Sequence, residues 1–183
     1  QLLGRGVSAC ATCDGSFFKG QRVAVVGGGD TAMEDALYLS RLAEHVTLIH
    51  RRDAFRASKI MVDRVLNTSN IEVLWNTVVE DIRDVSQGEV TGLLLKNVNS
   101  GEITDCAVQG FFVAIGHTPN TSIFAGQITI DDDGYIVTNQ TCTSVAGVFA
   151  AGDVQDRHFK QAVTSAGTGC IAALQAERYL ATL

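Results

Sequence analysis

The stretch Arg22 to Arg56, RVAVVGGGDTAMEDALYLSRLAEHVTLIHRRDAFR, restricts the possible folds more than any other part of the chain. Val23-Ala24-Val25-Val26 is a short β-branched run suited to a strand buried on both faces, and Gly27-Gly28-Gly29 follows it without a break. Glycines at 27 and 29 permit a tight turn and close approach of the backbone to a pyrophosphate. Ala32 takes the third, helix-packing place of G-x-G-x-x-G/A. A helix is expected from Asp30 to about Leu42. Its opening residues, Asp30 and Thr31, would aim N–H groups at phosphates, where the helix dipole favours negative charge. The pattern implies a bound dinucleotide.

The next strand, Val46 to Ile49, ends where such a fingerprint carries an Asp or Glu for the adenosine ribose, about twenty residues past the glycines. Here the residues are His50-Arg51-Arg52. A carboxylate would repel a ribose 2′-phosphate, whereas guanidinium groups grip it bidentately, so the substitution argues for NADPH over NADH. Arg56 would share a face with Arg52 if a helix has begun by then. The bland alternative is a solvated arginine pair. The fingerprint fixes the position independently, which favours the phosphate reading.

Composition narrows the partners. A formal net charge of −6 and a pI near 5.1 give no support for nucleic-acid binding. No apolar run approaches the roughly 18 residues of a membrane span, and no signal-peptide pattern precedes the first strand. Because Gln1 is not an initiator, a processed, trimmed or partial chain is expected. Five cysteines, two of them as C-x-x-C, do not form a disulfide framework and suit a reducing, cytoplasmic setting.

Cys10-Ala11-Thr12-Cys13-Asp14 lies just before the first expected strand. Thiols at this spacing can close a small exchangeable disulfide loop. Asp14 could move protons to and from a departing thiolate, or simply cap a turn before Gly15. Structural zinc is the rival for the thiols, but it needs four ligands. Cys106, Cys142, Cys170 and the histidines offer no second paired motif.

Further along, Ser58 to Leu66 reads as a packing helix and Ile71 to Trp75 as a strand. Val78 to Val108 alternates with turn signals at Gln87-Gly88 and Ser100-Gly101, so an antiparallel meander crossing the parallel sheet is expected. Gly110 to Gly116 would close that sheet. The boundary falls at Gly116-His117-Thr118-Pro119-Asn120. The remainder offers a strand pair around Ile128 to Val137, a strand at Gly147 to Ala151 and a helix from about Ala162 to Leu180, too little for a self-sufficient core.

Taken in order, GRGVSACATCDG (Gly4 to Gly15), VVGGGDTAMEDALYLS, HRRDAFRAS, AIGHTPNT, FAAGDV and KQAVTSAGTGCIAALQAERYL resemble the low-molecular-weight thioredoxin reductases over essentially the whole chain. The resemblance implies an α/β protein. Residues 1–116 would form a Rossmann-like, three-layer ββα NADPH-binding domain carrying the redox C-x-x-C. Residues 117–183 would form the C-terminal part of a second, FAD-binding Rossmann-like domain, whose first half would precede Gln1.

It also implies roles. Electrons would pass from NADPH through FAD to a Cys10–Cys13 disulfide and on to thioredoxin. Cys13 would face the flavin, Cys10 would attack the protein substrate, and Asp14 would be the proton donor and acceptor. Gly27, Gly28, Gly29, Asp30, Thr31, His50, Arg51, Arg52, Arg56, Ile115 and Gly116 would contact the nicotinamide nucleotide. Gly152, Asp153, Val154, Lys160, Gln161 and Ala162 would contact FAD, Asp153 at the ribitol and Gln161-Ala162 at the isoalloxazine. Lys160 stands where many members have Arg, keeping the charge without the fork. Arg5 and Phe17 would dock thioredoxin. Hinges would lie near Leu3 to Gly6 and Ile115 to Pro119, and the complete protein would be a homodimer. The isolated chain would hold little FAD and turn over weakly.

Overall fold

The computed structural model describes residues 1–183, and the chain divides into two compact units, Gln1–Gly116 and His117–Leu183.

The first unit is built on a five-stranded, wholly parallel sheet in the order β1-β8-β2-β3-β4. Its strands are β1 (Val7–Ser8), β2 (Arg22–Gly27), β3 (His45–Ile49), β4 (Ile71–Leu74) and β8 (Gly110–Ala114). Parallel strands need crossovers, which α2 (Asp30–Leu39) and α3 (Lys59–Leu66) supply. The short helix α1 (Ala11–Asp14) continues into a 3₁₀ turn, Gly15–Phe18.

Side chains alternate across the sheet, as the strand period of two requires. Val23 and Val25 of β2, Val46 and Leu48 of β3, and Phe112 and Ala114 of β8 pack with Ala11 of α1, Met33, Ala36 and Leu39 of α2 and Val65 of α3. On the other face Ala24, Ile49 and Phe111 meet Leu93 and Leu95 of an antiparallel meander, β5 (Thr77–Arg83), β6 (Gly92–Asn97) and β7 (Ile103–Cys106). Helices, parallel sheet and meander make the three layers expected from the motifs. Burying Phe112 or Leu48 completely contributes about 1.5–3 kcal/mol each, which is why this core can be specified by so few residues.

Some elements differ from the sequence reading. β1 was not expected. At two residues it carries no periodic signal and exists because Val7 and Ser8 pair with Phe111 and Phe112, a hundred positions later. Helix α2 stops at Leu39 rather than near Leu42, and the next four residues curl into turn hydrogen bonds, Ala43 N to Leu39 O at 2.8 Å among them. Arg52 to Arg56 is not helical, since α3 begins only at Lys59.

The second unit holds three of the 24 buried apolar residues, Tyr135, Ile136 and Ala150, so its small size leaves little interior. The expected strand pair is one bridge, Ile130 with Ile136, around the Asp131–Gly134 turn. The expected strand at 147–151 is one bridge, Cys142 with Phe149. Neither lengthens, because a strand needs a neighbour and this unit offers only short turns. Helix α4 (Ala162–Leu180) forms as read, opened by a reciprocal capping box between Gln161 and Thr164, and none of its residues is buried. No helix is long and apolar enough to cross a membrane.

Candidate functional site

At the carboxyl ends of β2, β3 and β8 the first unit opens into a groove of about 1100 Å³. The ends of parallel strands are where open α/β sheets bind ligands. Its lining includes Gly27, Gly28, Gly29 and Thr31 from the glycine turn, His50, Arg51, Arg52 and Arg56 from the segment after β3, and Ile115 and Gly116 after β8.

Each glycine has its own reason. A Cβ on Gly27 would run into the Ala114 carbonyl and the Ala32 methyl, so strand, helix and neighbouring strand meet only because the side chain is missing. A Cβ on Gly29 would meet nothing within 4 Å, leaving open space above the N-terminus of α2 for a phosphate. Gly28, unassigned in the fingerprint, makes room for the imidazole of His50.

His50 is buried at 6% exposure. Its Nδ1 lies 2.8 Å from the Gly27 carbonyl oxygen and its Nε2 3.0 Å from that of Ala54. Carbonyls only accept, so a ring N–H is the donor in whichever of these bonds forms. Phe55 and Trp75 enclose the ring, with centroids at 5.1 and 6.1 Å. The Arg56 N–H donates to the Gly28 carbonyl at 2.8 Å. The arginine segment is thus hung from the glycine turn through its backbone and His50, not by the helical spacing first considered. Arg51 and Arg52 are exposed and ready for a charged ligand.

Asp30 is not part of the lining. Its Oδ1 accepts from the Ser58 N–H at 2.9 Å and hydroxyl at 2.8 Å, tying α2 to the start of α3. These two bonds, the backbone one foremost, lower its pKa.

On the other side of the sheet, Cys10 and Cys13 form a disulfide with a Cα–Cα distance of 5.3 Å. The Cys13 N–H donates to Cys10 Sγ at 3.2 Å. Asp14 follows, its Oδ2 accepting from the Ser8 hydroxyl at 2.6 Å. Ala11, between the cysteines, belongs to the core shared with α2, whereas Val7 lines the groove and packs with the meander-side cluster. Groove and disulfide therefore occupy opposite faces of one sheet. Phe17 is 75% exposed beside the disulfide turn, while Phe18 packs edge-on against Phe112 at 5.5 Å. Cys106 is half-buried, and burial pushes its thiol pKa up. No group of three or more His, Cys, Asp and Glu side chains is placed to hold a metal.

In the second unit, Gly152, Asp153 and Val154 form a 3₁₀ turn fastened to α4. The Gly152 N–H donates to Thr168 Oγ1 at 3.0 Å, and the Ser165 hydroxyl donates to Asp153 Oδ1 at 3.1 Å. Sequence reasoning missed Asp156. Its carboxylate accepts from the N–H groups of His158, Phe159 and Lys160 and from the Thr164 hydroxyl, shaping the approach to Gln161 and Ala162. Burial would raise its pKa, but these donors outweigh it and bring it to about 2. An Asp two to four residues before a run of backbone N–H groups was the available signal.

The sequence profile of the family described as "Pyridine nucleotide-disulphide oxidoreductase" matches residues 1–169. The chain belongs to this family. A thioredoxin reductase of Rickettsia conorii is 57% identical over 183 residues, covering 98% of this chain and 59% of the relative. Among solved structures, thioredoxin reductase of Streptococcus pyogenes superposes with a TM-score of 0.92 at 40% identity, covering 98% of this chain and 58% of that one. The enzyme of Giardia duodenalis gives 0.86 at 44% identity, covering 97% and 58%. The chain spans less than two thirds of the length of these relatives. The family name joins a pyridine nucleotide to a disulphide, and one unit of this chain holds an open groove and a closed cysteine pair.

Proposed function

We propose that this chain carries the NADPH-binding and disulfide-bearing parts of a thioredoxin-disulfide reductase, in which electrons pass from NADPH through FAD to Cys10–Cys13 and then to thioredoxin. The observation that carries this reading is the arrangement within residues 1–116. A glycine-lined groove flanked by Arg51, Arg52 and Arg56 sits on one face of the sheet and a closed disulfide beside a carboxylate on the other. Similarity to thioredoxin reductases over 98% of the chain supports it.

On this reading the glycine turn and the first amides of α2 hold the pyrophosphate, and the guanidinium groups of Arg51, Arg52 and Arg56 select the 2′-phosphate. Ile115 and Gly116, which also line the groove, flank the nicotinamide end. FAD, when bound, supplies the link between hydride and thiol chemistry. The residues present fit it: Asp153 offers a carboxylate to a polyol, and Gln161-Ala162, with Lys160 beside them, present a helix N-terminus to an electron-rich ring. Cys13 takes the electron pair, Cys10 attacks the substrate disulfide, and Asp14 gives and takes the protons. The complete protein is cytoplasmic and homodimeric, and Arg5 with the exposed Phe17 contributes to thioredoxin docking.

Nucleotide binding is testable on the 183-residue chain. Trp75, its single tryptophan, stands beside His50 and Phe55 and should report occupancy of the groove by fluorescence. NADPH is expected to perturb it at concentrations where NADH does not, and equal responses would overturn the assignment. The purified chain is expected to carry little flavin; a strong flavin spectrum would contradict that part. In a full-length form, Cys13→Ser should abolish thioredoxin reduction while sparing NADPH-to-dye electron transfer.

A further inference from the structure

Ser8 has no role in the reading above, yet it is buried at 4% exposure directly beneath the redox loop. Pairing of β1 with β8 fixes its backbone, with Ser8 opposite the fully buried Phe112. A hydroxyl has one hydrogen to give and two lone pairs to fill. The Cys10 N–H donates to Ser8 Oγ at 3.0 Å, which occupies one lone pair. The hydroxyl hydrogen then has two candidate acceptors, Asp14 Oδ2 at 2.6 Å and the Cys10 carbonyl at 3.3 Å. The first has the length of a charge-assisted O–H···O⁻ bond and is the stronger. Ser8 is shielded from water and Asp14 partly so, which limits competition for the bond.

We propose that Ser8 is a positioning residue for proton transfer at the Cys10–Cys13 pair: anchored by the Cys10 N–H, its hydroxyl clamps Asp14 Oδ2 and so fixes the carboxylate that directly follows Cys13. The inference rests on the dithiol reading with Asp14 as acid and base.

The step balances as follows. The Cys10 thiolate attacks one sulfur of a substrate disulfide, forming a mixed disulfide and releasing a substrate thiolate. The Cys13 thiolate then attacks Cys10 Sγ, re-forming Cys10–Cys13 and releasing the second substrate thiolate. The chain's dithiol loses two electrons and the substrate disulfide gains them. The two protons left by the cysteine thiols pass through the Asp14 carboxylate to the two departing thiolates. Without the Ser8 clamp the carboxylate is free to rotate.

The experiment is the pH profile of iodoacetamide alkylation of the reduced 183-residue chain, with thermal melts to confirm folding, on wild type, Ser8→Ala, Ser8→Thr, Asp14→Asn and Ser8→Ala/Asp14→Asn. Helix α2, packed against α1, places Tyr38 beside Gly15 and carries Glu34 and Asp35. These groups are common to all variants, so the comparison isolates the hydroxyl. Both Ser8→Ala and Asp14→Asn should move the midpoint of the profile, by about one pH unit. The double variant should shift no further than Asp14→Asn alone, and Ser8→Thr should restore the wild-type curve. If Ser8→Ala superimposes on wild type while Asp14→Asn shifts, or if the two shifts add, the clamp is overturned while the role of Asp14 stands. If Asp14→Asn leaves the profile unchanged, the acid–base reading fails and the clamp with it. Should Ser8→Ala not fold, the loss of rescue in Ser8→Val against Ser8→Thr, equal in shape and differing in the hydroxyl, decides the same question.

Discussion

Gly28 and the imidazole of His50 occupy space that only one side chain can fill: a Cβ on the glycine would come within 2.1 Å of the ring's Cε1 and 2.3 Å of its Nδ1. The ring cannot easily yield, since it is held between the carbonyls of Gly27 and Ala54 and enclosed by Phe55 and Trp75. The middle glycine of the turn is therefore a packing requirement of the residue that carries the arginine segment.

Gly28→Ala should accordingly weaken NADPH binding more than tenfold, and lower stability by about 1–3 kcal/mol through overpacking. Titration through Trp75 and a denaturant melt measure the two effects. Gly28→Ala combined with His50→Ala should recover part of the stability, because the obstacle is removed. No recovery would mean that the turn itself is strained by the methyl group.

Arg51→Ala together with Arg52→Ala should erase the preference for NADPH over NADH. Charge-assisted bonds of about 1.5–3 kcal/mol imply a loss of NADPH affinity of at least tenfold, with NADH affinity little changed. An unaltered ratio of the two dissociation constants would reject the 2′-phosphate assignment.

The Asp35 carboxyl on α2 is pushed up to about 6 by burial, with Glu34 adding to the rise. A raised acid pKa disfavours the ionised form in the folded state, so stability is lost as pH climbs from about 4 to 6. Asp35→Asn should remove that loss, stabilising the chain above pH 6 by roughly 1–2 kcal/mol once solvent screening of a partly exposed group is allowed for. It should change little near pH 4. Urea melts at the two pH values test the sign, and equal effects at both would contradict it.

Asp156 works in the opposite sense. With its pKa brought down to about 2, it stabilises the loop above the ordinary carboxylate range, and that contribution is lost as pH falls through about 2. Amide exchange at Phe159 and Lys160 should stay slow at pH 4. In Asp156→Ala it should be fast even at neutral pH. Equal protection in variant and wild type would show that the loop is held by other contacts.

Legibility followed the range of the determinants. The strand, glycine turn, helix and strand of 22–49 were readable because apolar period, turn glycines and helix start lie within thirty residues of one another. The arginines were readable for the same reason. His50 was read only as a nucleotide contact; its packing role was not legible, because its partners Gly27 and Ala54 are visible only once the turn and the segment after β3 are folded together. β1 depends on β8, and Ser8 on β1, so neither had a local signature. In the second unit the apolar run at 147–151 looked like a strand, but strand character needs a partner and this run finds a single bridge, Cys142 with Phe149.

The parallel sheet also acts as a partition. A hydride moves only between atoms nearly in contact, about 3–3.5 Å apart, whereas a nucleotide lodged by the meander and sulfurs seated by the helices have a layer of backbone between them. Under the proposed function, charge would have to travel around this wall, carried by a third body or by turning the whole slab. On that reading, the one sheet that presents both chemistries would also prevent them from short-circuiting.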